Sequence, residues 1–266
     1  MFSLKPELKK VITYTILVYA LSVIGYTLLL KSKTIGLNPF IAMFILMWCP
    51  ALSAFITQLV YQKNLRGFGW GMGSPKWYLV AYFLPLLSGA LAYAVIWLTG
   101  LGIIDPGYKF NLFHLVIIGT LFNFAYAAGE EIGWRGLLVP SLYKVTGYTK
   151  TCFISGIIWA VWHFPIIIGG AYLADIPLTH RLILFILIVI AGSFIINWLR
   201  LRSGSVWVPI LFHASANLYL QRLFQPMTKL TGQFSRYVAG ESGIALLVVY
   251  AVVGFVFWRM RGKLAK

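Results

Sequence analysis

A chain of 266 residues that is 60% hydrophobic and only 11% charged has too few ionic groups to coat a soluble surface, where about a quarter of residues are normally charged. Its net charge of +16 would suggest a nucleic-acid partner in a soluble protein. Here, however, the Lys and Arg residues fall in short stretches between apolar runs, which is membrane topology, and no nucleic acid is expected as a partner.

Apolar runs long enough to cross a hydrocarbon core about 30 Å thick extend approximately over Val11–Leu30, Pro39–Tyr61, Trp77–Leu98 and Leu112–Ala128. Four more cover Thr151–Ile168, Leu182–Leu199, Val206–Leu220 and Ile244–Trp258, the seventh being short and interrupted by Pro209. The expectation is an all-α polytopic transmembrane bundle of about eight helices, a single membrane-embedded domain over 1–266 with the lipid bilayer as its surroundings. Val11–Leu30 is too long for the apolar part of a signal peptide, and Lys31 follows where a small-residue cleavage site would stand, so it is read as the first span. The stretch between Leu220 and Gly243 mixes Arg222, Lys229, Arg236, aromatics and Pro226, and is expected at the membrane surface. No repeat of 20 to 50 residues is apparent. Cys49 and Cys152 lie far apart in apolar sequence, outside any metal-ligand spacing, and read as packing residues.

With the N-terminus inside, fourteen cations fall on the inner side: Lys5, Lys9, Lys10, Lys63, Arg66, Lys76, Lys144, Lys150, Arg200, Arg202, Arg259, Arg261, Lys263 and Lys266. Seven fall outside: Lys31, Lys33, Lys109, Arg181, Arg222, Lys229 and Arg236. The bias predicts both termini in the cytoplasm. Trp70, Trp77, Trp198, Trp207 and Trp258 stand near predicted helix ends, where aromatic belts form.

A charged side chain in a bilayer costs about 2.5 to 3.5 kcal/mol on insertion scales, so each one is a functional candidate. Of only six acidic residues, Glu130 and Glu131 stand together at the end of the fourth apolar run, followed by Arg135 in EEIGWRGLLVP. If the helix continues, Glu131 and Arg135 at i and i+4 can pair, leaving Glu130 about 100° away and free to face a cavity. His163 lies in WAVWHFP of the fifth run, and His213 with Asn217 lies in LFHASANLY of the seventh, again at i and i+4 on one face. The small residues Ala214, Ser215 and Ala216 between them would let neighbouring helices approach closely. His114 and His180 lie near run ends and read as interfacial.

In a bundle these groups turn inward. One carboxylate with two imidazoles makes either a water-activating base with polar helpers or a three-ligand metal site, with Glu130, His163 and His213 as a candidate zinc set. Both mean hydrolysis. A buried polar clasp without chemistry, as in a membrane scaffold, and a small transporter relaying ions are the rival readings. The depths are strained, because the first boundary puts Glu130 at a helix end while His163 lies about 18 Å into its helix by the 1.5 Å rise. The fourth helix is therefore suspected of running beyond Glu130.

The motifs EEIGWR, WAVWH and HASAN, in this order on successive helices, resemble those of the CPBP intramembrane proteases, which include type II CAAX prenyl endopeptidases and bacterial bacteriocin-processing and immunity proteins. The resemblance covers about 122–220, and the catalytic core is expected over about 112–220. It implies an endopeptidase in which Glu130 and His163 activate water, His213 and Asn217 stabilise the oxyanion, and Glu131 and Arg135 support the site. It also implies a membrane-associated peptide or protein substrate, prenylated in some members, and a bacterial plasma membrane as location. Trp159 stands where the family more often has Phe. Both a glutamate-dependent and a zinc-dependent mechanism fit. With both termini inside, the fourth helix runs inward and its Glu130 end predicts a cavity open to the cytoplasm.

Overall fold

The computed structural model describes residues 5–173 and 176–264; Lys266, counted above among the inner cations, lies outside the described residues. The long helices are α1 (Pro6–Leu30), α2 (Pro39–Gln62) and α3 (Lys76–Leu98), then a continuous helical stretch His114–Thr146. That stretch consists of a π-helical opening (His114–Gly119), α4 (Thr120–Glu131), a π-helical segment (Ile132–Leu138) and α5 (Val139–Thr146). After it come α6 (Tyr148–Ile168), α7 (Leu178–Ser203), α8 (Trp207–Tyr219) with a π-helical turn (Leu220–Phe224), the short α9 (Ser235–Val238), and α10 (Ile244–Arg259). Two three-residue strands, β1 (Gly102–Ile104) and β2 (Thr228–Leu230), pair antiparallel outside the bundle.

Among the described residues, seven of these helical stretches are long and apolar enough to span a membrane. The protein is an integral membrane protein. The seventh of the eight expected runs, Val206–Leu220, is α8, only 13 residues long, packed against α3, α4 and α7 inside the bundle. Helix starts follow local chemistry: Pro6 and Pro39 occupy first-turn positions where no backbone donor is needed, and the Asn38 side chain accepts from the Phe40 N–H at 2.8 Å. Gly204, at φ +69°, ends α7 in the left-handed conformation and returns its N–H to the Arg200 carbonyl. The outward faces carry exposed Leu, Ile, Val and Phe, such as Ile16, Leu52, Leu87 and Val252, as lipid contact requires.

The fourth span differs from its predicted bounds. It does not stop at Ala128 but runs on to Thr146, 33 residues in all from His114, which puts Glu130 halfway along it. The charges at 130, 131 and 135 interrupt the apolar run in sequence without interrupting the helix, because the bundle supplies their partners. Gly129 and Gly133 bring this helix against α2. A Cβ at Gly129 would stand 2.5 Å from the Met47 carbonyl oxygen, and one at Gly133 would stand 2.6 Å from that of Pro50.

The helix ends sort onto two faces. Glu7 pairs with Lys144 at 2.8 Å, the Trp258 indole donates to Thr149, and the Trp198 indole donates to the Met260 carbonyl. These contacts put the start of α1, the α5–α6 junction and the ends of α7 and α10 on one face. The five tryptophans near helix ends gather there as well, with Trp70 against Trp207 and Trp77 against Trp198. The β1–β2 pair and the segments joining α1 to α2, α6 to α7 and α8 to α10 form the opposite face.

Gly129→Ala is expected to destabilise the bundle by about 1 to 3 kcal/mol, because the clashing atoms are α2 backbone that cannot rotate away. A melting temperature in detergent no lower than that of the native chain would contradict this packing.

Candidate active site

Two buried apolar clusters meet inside the bundle, one built largely on α1, α2 and the fourth span, the other on α3, α7, α8 and α10. Trp159 and Tyr172 pack against both. The polar residues singled out from sequence converge at this seam: Glu130, Glu131, Arg135, His163 and His213 are all buried, from the fourth span, α6 and α8.

Glu131 and Arg135 pair as their spacing predicts, with Nη1 to Oε1 at 2.9 Å and both side chains sealed from solvent. The same Oε1 lies 2.9 Å from His213 Nδ1, so Glu131 is shared between Arg135 and the histidine of another helix. Arg135 Nε donates to Asn197 Oδ1 at 3.2 Å, and the Asn197 amide donates to Ser155 Oγ at 3.0 Å. The guanidinium also lies over the Trp159 ring, 4.1 Å from its centroid, a cation–π contact strengthened by desolvation. Arg200 supports the helix from below, donating to the Arg135 and Phe68 carbonyls at 2.8 and 3.0 Å.

Glu130 is left to the cavity. Its Oε2 accepts the Trp159 indole N–H at 2.7 Å and lies 3.9 Å from His163 Nε2. His163 Nδ1 is 3.0 Å from the Trp159 carbonyl. A carbonyl only accepts, so Nδ1 carries the proton and, in the neutral ring, Nε2 presents its lone pair toward Glu130. The 3.9 Å gap exceeds a direct hydrogen bond and suits one water donating to both groups.

Glu130, His163, His213 and Asn217 line one cavity of about 1600 Å³, including its open mouth, whose lining runs out to the exposed Lys33 and Arg222. Beside the histidines a second, mainly apolar pocket of about 680 Å³, open space at its mouth included, is walled by Phe185, Ile188, Phe212 and Tyr250. His163, His213, Asn217 and Tyr172 belong to both. The large cavity opens beside the α1–α2 and α6–α7 connections, on the face away from the start of α1 and the end of α10. That corrects the sequence expectation: both termini and the cavity mouth cannot share the cytoplasmic side. The expectation failed because the fourth span does not end at Glu130, so the position of Glu130 in the sequence did not reveal its nearer face.

Among the described residues no group of three His, Cys, Asp or Glu side chains stands close enough to hold a metal ion. His213 Nδ1, His163 Nδ1 and Glu130 Oε2 are engaged by Glu131, the Trp159 carbonyl and the Trp159 indole, bonds that leave out both Nε2 atoms and Glu130 Oε1. His114 opens the fourth span and His180 packs on Tyr237 at the start of α7, both outside this site.

Residues 109–219 match the family model described as Type II CAAX prenyl endopeptidase Rce1-like. That segment carries all three motifs. A CAAX prenyl protease 2 from Methanococcus maripaludis is 32% identical over 132 residues, which is 48% of this chain and 45% of that protein. The matched part thus spans somewhat under half the length of that relative. The two similarities bear out the resemblance to the CPBP intramembrane proteases.

Some of the site was missed in the sequence. Trp159 counted only as an aromatic, yet its indole N–H holds the Glu130 carboxylate. Asn197 is an uncharged amide in an apolar run and Glu241 lies in the stretch expected at the membrane surface, so the rule applied to Glu130, a charge beside an apolar run, reached neither. The Tyr172 hydroxyl donates to Glu241 Oε2 at 2.5 Å, tying the segment after α6 to the one before α10 beside His163. Burial raises the Glu241 carboxyl above its ordinary 4.5 against the hydrogen bonds from Tyr172 and Gln221. A raised carboxyl holds its proton more tightly in the folded state, so its contribution to stability is full below about pH 4.5 and is lost as pH rises through the folded value. Glu241→Gln is therefore expected to lessen the fall in melting temperature between pH 4.5 and 7; an unchanged slope would contradict this assignment.

Proposed function

We propose that this protein is an intramembrane endopeptidase of glutamate-dependent type, acting on a membrane-associated peptide or protein. The observation that carries the reading is the facing pair of acceptors, Glu130 Oε2 and His163 Nε2, 3.9 Å apart on the wall of the open cavity. A water donating one hydrogen to each is held with a lone pair free for a substrate carbonyl. Glu130 takes its proton as the oxygen–carbon bond forms, and returns that proton to the amide nitrogen as the carbon–nitrogen bond breaks. His163 orients the water. His213, held through Nδ1 by Glu131, can donate from Nε2 to the developing oxyanion when its ring carries both protons, and Asn217, one turn further on, adds its amide. Arg135 and Glu131 act as positioning residues for His213. The apolar chamber adjoining both histidines suits a hydrophobic group flanking the scissile bond; a prenylated substrate, the class in the archaeal relative's name, is one such.

No step in this scheme passes through a metal. A purely structural clasp accounts for Glu131, Arg135 and His213, but leaves Glu130, His163 and the cavity between them without a purpose.

Purified protein should cleave a hydrophobic peptide in detergent or liposomes, and Glu130→Gln should lower kcat by at least about 1,000-fold at unchanged melting temperature, while prior treatment with a zinc chelator leaves the rate intact. Full activity in Glu130→Gln removes the base; loss of activity on chelation restores the zinc reading. Trp159→Phe keeps a ring under Arg135 but deletes the donor to Glu130. Since hydrogen bonds to charged groups contribute about 1.5 to 3 kcal/mol, kcat/KM should drop about 10- to 100-fold, and an unaffected Trp159→Phe rate would mean that the indole does not position the carboxylate.

A further inference from the structure

In the folded chain the cations divide unequally between the two faces. The face at the start of α1 and the end of α10 gathers Lys5, Lys9 and Lys10, then Lys63, Arg66 and Lys76 around the α2–α3 connection. Lys144 and Lys150 follow at the α5–α6 junction, Arg200 and Arg202 at the end of α7, and Arg259, Arg261 and Lys263 at the end of α10. The opposite face holds Lys31, Lys33, Lys109, Arg181, Arg222, Lys229 and Arg236. The connections on both faces are short, the condition under which the excess of Lys and Arg sets orientation.

The opposite face also differs in build. It carries the paired strands β1 and β2, pinned by the Asp105–Lys229 ion pair at 2.9 Å, the Tyr108 hydrogen bond to the Arg222 carbonyl and the Tyr172–Glu241 tie. The mouth of the Glu130 cavity, with Lys33 and Arg222 on its rim, opens among them.

We infer that the cavity opens to the extracytoplasmic side of the membrane, and that the substrate is a membrane-associated peptide or protein segment exposed on that outer side. The inference deepens the endopeptidase reading and rests on it for the word substrate; the orientation itself stands without it. Water and substrate then reach Glu130 and His163 from outside, and cleavage follows insertion or export of the substrate rather than preceding it. A reaction that moves the peptide across the bilayer, or inserts it with the scissile segment outward, must supply this substrate.

The orientation is tested by single cysteines at exposed connection residues away from the site: Thr34→Cys and Gln233→Cys on the cavity face, Asn64→Cys and Lys263→Cys on the face of the termini. The native Cys49 and Cys152 are buried, and the unsubstituted chain is the control. In intact cells a membrane-impermeant maleimide should label the first pair, and the second pair only after permeabilisation. The reverse pattern overturns the inference, as does equal labelling of both pairs in intact cells, which would mean mixed orientation.

The substrate half is read with a membrane-impermeant quenched peptide that the purified protein cleaves, added outside intact cells. Cleavage that disappears in Glu130→Gln supports it, and cleavage only after permeabilisation overturns it. If the purified protein cleaves no peptide at all while the labelling is as expected, the endopeptidase reading fails and the orientation survives.

Discussion

The Glu131 carboxylate, closed off from solvent and gripped at one oxygen by both Arg135 and His213, is the contact on which the rest of the site depends. A buried charge in this setting cannot stand alone: removing one partner of such a pair costs about 3 to 5 kcal/mol, because the other is left unpaired in a low dielectric. The carboxylate therefore ties the fourth span to α8, while Arg135 reaches on to Asn197 of α7 and lies against Trp159 of α6. Four helices are set in register by one charge and its partners. The neighbouring Glu130 thereby gains its freedom, since the cation that would otherwise neutralise it is already engaged.

Around that anchor the bundle does two opposed things. Lipid gives helices little hydrophobic reason to associate, so close packing at small residues and satisfied polar groups must hold them together; Gly129 and Gly133 against α2 serve that end. Hydrolysis, by contrast, requires water within the bundle. The seam between the two apolar clusters reconciles these demands, because side chains such as Trp159 and Tyr172 pack against both clusters while leaving a polar wall facing the open cavity. Trp159 joins the two regimes in one residue: its ring packs beneath a guanidinium and its N–H steadies the carboxylate that faces water.

The boundary between these regimes explains why parts of the site were invisible beforehand. A hydropathy pattern treats Glu130, Glu131 and Arg135 as the end of a span, because it has no knowledge of partners on other helices. The span continues through a π-helical segment directly after Glu131, and such wide turns are frequent where a helix carries function. Likewise the donor on Trp159 looks like any aromatic until its partner is known, and Glu241 joins the site only through Tyr172, a residue 69 positions away.

The sequence by itself determined the membrane class, the positions of most of the apolar spans, the spacing that pairs Glu131 with Arg135 and the residues that had to turn inward, because insertion cost, helical spacing and the scarcity of charge are properties of local sequence. The tertiary structure alone decided that Glu131 is shared with His213, that Glu130 lies midway along its helix and faces His163 across a gap fit for water, and that the cavity opens away from the chain ends. Those outcomes depend on which groups distant in the chain come within a few ångströms of one another, and only the packing of the helices sets those distances.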